Sequence, residues 1–149
     1  MKKTILIGML SVSLGFFLGN IFMSEKSILK KNWNKEEKYY FIQEGIYSSY
    51  DNLKNNLISI KQKVIDKKKD KYYVYVGITK NKVLATKIQE IYKKRGINSH
   101  TVEKYLDSEE FLQNVLQFDN LIKNTEEEED ILTIESVVLA NYEEILKKE

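Results

Sequence analysis

An uncharged, apolar run near the N-terminus restricts where this part of the chain can lie: in a membrane or in a protein core. Residues Thr4–Met23 carry no formal charge, and Lys2 and Lys3 precede them. Twenty apolar residues in a helix span the hydrocarbon core of a bilayer. A helix that is apolar on every side is hard to bury in a chain of 149 residues, so a buried core helix is the disfavoured alternative. The run therefore predicts a transmembrane anchor at 4–23 behind a short cytoplasmic leader at 1–3.

A cleaved export signal has the same basic start and apolar run, so two interpretations of this segment stay open. No small-x-small cleavage pattern surrounds Gly19–Ser24, and the chain has no cysteine for lipid attachment, which favours an uncleaved single-pass anchor. Five lysines within residues 26–38 weaken the orientation signal. The short basic leader followed at once by the apolar run is nevertheless typical of an export signal. We expect the N-terminus in the cytoplasm and the body of the chain outside the cell membrane.

The composition disfavours several kinds of chemistry. With no cysteine and one histidine, His100, the chain has neither a disulfide framework nor a set of zinc ligands, and His100 has no evident triad partner. Its 24 basic and 22 acidic residues are too balanced for a protein that works by neutralising phosphates. We therefore expect no enzyme, no cofactor, no metal site and no nucleic-acid partner.

A polar tether at 24–37 leads into a segment of alternating strand and helix patterns. Aromatic and β-branched residues at Tyr39–Tyr47 predict a strand, and the serines that follow suit a helix N-cap. The helix has an apolar stripe of Leu53, Leu57 and Ile60. Residues Gln62–Asp66 predict a weaker second strand, followed by a charged turn at Lys67–Asp70.

The same plan is repeated in the next forty residues. Tyr72–Ile78 is the strongest strand pattern, and Thr79–Asn81 open a second helix. Its apolar stripe is Leu84, Ile88 and Ile91. Gly96 suits a left-handed helix stop, and Ile97–Tyr105 predicts a fourth strand. The pattern indicates an α+β domain built from a duplicated strand-helix-strand unit.

Residues 38–106 resemble a SPOR domain, the sporulation-related repeat module. The resemblance rests on FIQEGIY followed by YDNL, and on YYVYVGI followed by Lys82 to Gly96, in the order of that family's half-repeats. It implies a βαββαβ (RNP/ferredoxin-like) fold, with a four-stranded antiparallel sheet and two helices on one face. It also implies non-catalytic binding of peptidoglycan glycan strands on the other face, in cell division, sporulation or wall remodelling. The similar RRM architecture is disfavoured because the RNP aromatic pattern is absent.

The resemblance and the strand alternation together indicate candidate glycan-binding residues. Gln43 occupies the glutamine position of the family's first-strand motif, and its amide can donate and accept hydrogen bonds. Alternation places Tyr73 and Tyr75 on the outward face if Val74 and Val76 face the helices, and places Phe41 and Tyr47 with Gln43. Alternatively, Tyr73 and Tyr75 are ordinary strand residues packed under the C-terminal segment, and Gln43 is an unremarkable exposed amide.

Glu44 departs from the family pattern, because alternation places it with Ile42 and Ile46, which are expected in the core. A buried, unpaired carboxylate is costly. A bulge at Gly45, a lysine partner or a register shifted by one residue would each resolve this conflict.

Residues 107–149 predict a helical hairpin outside the family's module. The first helix starts near Ser108 and the second near Asp130, with Glu126–Glu129 as a solvated acidic loop that lacks metal-ligand spacing. The hairpin could cover an apolar edge, bind a protein partner, or fold over the sheet face. The alternative function is a membrane-tethered interaction scaffold without glycan binding, which an occupied or apolar sheet face would favour.

Overall fold

The computed structural model describes residues 36–57 and 59–149, which belong to one compact unit, Lys35–Glu149. The predicted leader and anchor, and all of the predicted tether but its last two residues, lie outside the described residues. Within the described ranges, no helix is long and apolar enough to cross a membrane.

The domain is α+β, with a four-stranded antiparallel sheet and four helices in the described part, which confirms the predicted class. The strands are β1 (Glu37–Tyr47), β2 (Val64–Lys68), β3 (Lys71–Thr79) and β4 (His100–Leu106). Their order across the sheet is β2-β3-β1-β4. The helices are α1 (Tyr50–Asn56), α2 (Lys82–Lys94), α3 (Glu109–Lys123) and α4 (Glu128–Lys148).

Short polar side chains begin three of the helices, as the sequence predicts for the first and third. Ser49 Oγ accepts a hydrogen bond from the Asn52 amide at 3.2 Å, and Ser108 Oγ accepts one from the Phe111 amide at 3.3 Å. Asn81 Oδ1 caps α2 in the same way. Beyond the end of α2, Gly96 has φ 78°, the predicted left-handed stop.

Several predicted boundaries are wrong. Helix α1 ends at Asn56, although all three residues of its predicted apolar stripe are buried. Strand β4 begins at His100 rather than at Ile97. Two of the predicted loop glutamates lie in the first turn of α4, where carboxylates are stabilised by the helix dipole. Glu128 and Glu129 also pair with Lys94 and Arg95, at 2.6 and 2.7 Å.

The β1–β3 ladder contains the bulge that the position of Glu44 requires. Gln43 pairs with Tyr75 and Gly45 with Val74, so Glu44 has no partner on β3. Its carboxylate accepts a hydrogen bond from the Tyr47 hydroxyl, at 2.8 and 2.9 Å from the two oxygens. Because the bulge reverses the alternation beyond it, Ile46 is 51% exposed. The prediction that Ile46 points into the core is therefore wrong.

Helices cover both faces of the sheet. Helices α1 and α2 pack on the face that carries Val74 and Ile42, as predicted. Helices α3 and α4 pack on the opposite face, where one apolar cluster joins strand and hairpin residues. The expectation of a sheet face open to solvent is not met, because the hairpin buries that face.

Candidate functional site

The covered sheet face is an aromatic surface that the C-terminal hairpin completes. Phe41 on β1 and Tyr75 on β3 lie 5.0 Å apart between ring centroids, in an edge-to-face arrangement. Tyr142 of α4 lies 5.0 Å from Phe41 and 6.4 Å from Tyr75. Phe111 of α3 packs on Tyr39 at 5.3 Å. All five side chains are at most 3% exposed, and edge-to-face ring pairs add stability beyond their burial.

A lysine ammonium lies inside this aromatic cluster. Lys104 Nζ lies 4.8, 4.6 and 5.5 Å from the ring centroids of Phe41, Tyr75 and Tyr142. It donates to the Asp66 carboxylate at 3.2 Å and to the hydroxyls of the two tyrosines at 3.2 and 3.1 Å. Burial lowers the pKa of Lys104, and Lys68 lowers it further, while Asp66 acts in the opposite direction. The ammonium thus links β4, β3, β2 and α4 through groups that are desolvated together.

Two buried carboxylates fasten the hairpin to the end of β3. Asp119 of α3 accepts hydrogen bonds from the Thr79 hydroxyl at 2.7 Å and from the Lys80 amide at 2.9 Å. Glu135 of α4 accepts one from the Ile78 amide at 2.8 Å, while its other oxygen has no partner in the described part of the chain. Burial is the main cause of both pKa shifts. It raises the pKa of Asp119, and it raises the pKa of Glu135 to about 8.

The predicted glycan-binding residues lie in three different settings. Phe41 and Tyr75 are buried in the aromatic cluster, and Tyr73 is half-buried against it. Gln43 is 4% exposed, with its Nε2 at 3.2 Å from His100 Nε2. Tyr47 lies at the bulge, where burial and then Glu44 raise its pKa to about 12. The structure therefore does not bring all five together on one solvent-exposed surface, and whether they contact a glycan stays a prediction.

The sequence pattern of the hairpin helices indicates that Asp119 and Glu135 are buried. Asp119 and Glu135 lie within the apolar stripes of their helices, four residues after the buried Val115 and Ile131. A carboxylate at such a position is buried unless the stripe is interrupted. Lys104 gave no comparable signal, because a lysine on a strand is ordinarily solvated.

The cluster also contains a hydroxyl with no partner. Tyr39 OH is buried without a hydrogen bond from the described residues, and burial raises its pKa to about 12. We expect Tyr39→Phe to leave stability unchanged or to raise it by up to about 1 kcal/mol, since an unsatisfied polar atom is removed. The matched change Tyr142→Phe removes the hydrogen bond with Lys104 and should cost about 1 kcal/mol. Urea denaturation of both variants checks this, and equal effects would contradict it.

These geometries define an α+β domain whose central face is closed by its own hairpin. In the described ranges, no group of three or more His, Cys, Asp or Glu side chains could hold a metal ion. Comparisons with protein-family models, with curated proteins and with solved structures found no match to this chain.

Proposed function

We propose that this chain is a non-catalytic interaction scaffold, held at the outer side of the cell membrane by residues 4–23. The observation that supports it is the occupied sheet face, where Tyr142 and Phe111 of the hairpin take the positions that a ligand would need. A face filled by the chain's own helices adds to stability and leaves partner binding to the outer surfaces.

The polar contacts indicate that the hairpin is an integral part of the domain. Its removal would leave the ammonium of Lys104 without the Tyr142 hydroxyl, and the amides of Ile78 and Lys80 without carboxylate partners. Losing one partner of a buried polar pair costs about 1–3 kcal/mol for each group. A ligand that displaced the hairpin would have to offset the free-energy cost of these unpaired polar groups, together with the loss of the apolar contacts.

The outer strand β4 offers one surface for a protein partner. It lies at the edge of the sheet beside β1, and an edge strand has backbone groups that can pair with an added strand. Its Tyr105 side chain is 57% exposed. The hairpin's outer surface is a second candidate for protein contact.

Peptidoglycan binding is the second candidate function. It is supported by the element order β1-α1-β2-β3-α2-β4 and the sheet order β2-β3-β1-β4, which fit the βαββαβ, ferredoxin-like arrangement implied by the SPOR resemblance. Rings, an amide and an ammonium suit a polyhydroxylated glycan. This function requires the hairpin to leave the sheet face.

Co-sedimentation of the segment 35–149 with purified sacculi that have been stripped of phosphodiester-linked polymers, untreated or amidase-treated, separates the two candidates. The scaffold proposal expects no sedimentation with either preparation. Sedimentation that Gln43→Ala abolishes, and that the matched Gln113→Ala on the exposed side of α3 does not, would replace it with glycan binding. Sedimentation that survives both changes would also count against a scaffold without wall affinity.

Protease accessibility tests the proposed location. In wall-free cells that express the full chain with a C-terminal tag, added protease should remove the tag while a cytoplasmic control protein stays intact. A tag protected until the membrane is permeabilised would place the body in the cytoplasm and end both proposals.

A further inference from the structure

A shallow groove lies on the α1 side of the sheet, away from the C-terminal hairpin. It has a volume of about 240 Å³. Its lining is formed by residues of α1, the following loop and β2: Tyr50, Leu53, Lys54, Leu57, Lys63 and Ile65. The groove is smaller than the pockets of about 300–1,000 Å³ that enclose drug-sized ligands. It therefore fits one unit of a larger molecule rather than a fully enclosed ligand.

Two tyrosines form a continuous rim beside this groove. Tyr50 is 56% exposed, and its ring centroid lies 6.1 Å from that of Tyr72 on β3. Tyr72 is half-buried on the same side of the sheet as Ile65. Exposed rings of this kind give the C–H faces of a sugar or polyol an apolar surface to pack on, while the hydroxyls can form hydrogen bonds.

Three lysines surround the groove and its rim. Lys54 and Lys63 line it, and Lys67 Nζ lies 5.5 Å from the Tyr72 ring centroid. Lys63 donates to the Ile60 carbonyl at 2.8 Å, which fixes the ammonium near the groove with donors to spare. Within the described ranges, no carboxylate forms an ion pair with any of the three. None of these three ammonium groups is therefore neutralised by a carboxylate in direct contact within the described ranges.

We propose that this lysine–tyrosine surface, defined by Lys54, Lys63, Lys67, Tyr50 and Tyr72, binds a polymer of sugar or polyol units joined by phosphodiesters. Lysine ammonium groups act as point charges and suit phosphate oxygens that are spaced along a polymer. The paired rings offer contacts to the polyol units of such a polymer, and the ammonium groups beside them offer contacts to its phosphates. A peptide with acidic side chains would supply the charge without the polyol that the rings fit.

The site is independent of the covered sheet face, since none of its residues belongs to the aromatic cluster around Lys104. It can therefore bind with the hairpin in place. If this surface binds no polymer, the scaffold proposal is unaffected. The sacculus test varies Gln43, whereas the polymer-binding test varies residues of α1, β2 and the loop between them.

Titration of the segment 35–149 with glycerol phosphate oligomers of defined length tests the proposal. Replacing Lys54, Lys63 and Lys67 with Gln should weaken binding by about threefold to 150-fold, since each exposed charge pair contributes about 0.2–1 kcal/mol. The matched variant has Gln in place of the exposed Lys82, Lys93 and Lys148, and its net charge equals that of the first triple variant. It should bind the oligomers as tightly as the unchanged protein does. Tyr50→Ala should weaken binding, whereas Tyr105→Ala should not.

Backbone amide shifts of the unchanged protein give a second readout that needs no variant. We expect the oligomer to perturb α1, β2 and the start of β3, and to bind more weakly as salt is raised. No binding, equal losses in the two lysine variants, or shifts centred elsewhere would each overturn the proposal. Equally tight binding of polyglutamate of matched charge would also overturn it, because this would indicate a preference for acidic peptides.

Discussion

A Glu135→Gln variant is expected to hold its stability between about pH 5 and pH 8, a range over which the unchanged protein loses stability. Burial raises the pKa of Glu135 from 4.5 to about 8, so the folded protein keeps a proton that the unfolded chain has released. Stability therefore falls as the pH rises through this range, by up to roughly 1.4 kcal/mol for each pH unit. Above the folded-state pKa the loss is complete.

Glutamine mimics the protonated side chain. Its oxygen can accept the hydrogen bond from the Ile78 amide that Glu135 accepts at 2.8 Å. The two proteins should thus have similar stability near pH 5 and diverge above it. Burial also raises the pKa of Asp119, and the charge of Asp119 raises the pKa of Glu135, so the two titrations are coupled and the difference between the two proteins includes this interaction.

Urea denaturation at several pH values measures this divergence. Glu143→Gln is a matched control, because Glu143 lies on the same helix and is exposed. Parallel curves for Glu135→Gln and the unchanged protein would mean that the carboxylate is ionised and solvated in the folded state. That result would contradict the docking of α4 against β3.

A Tyr142→Ala variant is expected to lose about 3–5 kcal/mol of stability, the usual cost of removing a buried aromatic ring. Tyr142 is 1% exposed and contacts Phe41, Tyr75 and Phe111, and its hydroxyl accepts a hydrogen bond from Lys104. The change leaves a cavity and takes one partner from a buried ammonium. Both losses fall on the interface between the hairpin and the sheet.

The matched control is Tyr105→Ala, since Tyr105 is 57% exposed and should change stability by less than about 1 kcal/mol. Guanidinium denaturation of both variants gives the comparison. A loss below about 1 kcal/mol for Tyr142→Ala would indicate that the hairpin does not pack on the sheet in solution. The sheet face would then be accessible, which would favour glycan binding over the scaffold.

The bulge in β1 could not be predicted from the alternation of side chains alone. Strict alternation placed Glu44 in the core and left three ways to resolve the conflict. In the structure Glu44 has no partner on β3, and its carboxylate accepts from Tyr47. Alternation predicted the side of the sheet correctly for Ile42, before the bulge, and incorrectly for Ile46, after it. A bulge changes pairing between strands, so its position depends on the partner strand as well as on the local sequence.

The apolar stripes of the hairpin helices were predictable, but their target was not. The spacing of Phe111, Val115 and Ile122 requires one face of α3 to be buried, and all three are at most 2% exposed. An apolar stripe indicates that one face of a helix is buried, but it does not indicate which surface of the protein covers that face. The tyrosines of β3 had the same ambiguity, because an aromatic face suits a ligand and a helix equally well.

The sequence by itself determined the α+β class, the strand-helix-strand repeats, the serine caps and the glycine stop, because each depends on residues near one another in the chain. Only the tertiary structure decided that α3 and α4 lie on the sheet face, and that Lys104, Asp66 and Tyr142 meet there. These contacts join residues as far apart in the chain as Phe41 and Tyr142, so they depend on how complete elements pack and on which desolvated charges find partners.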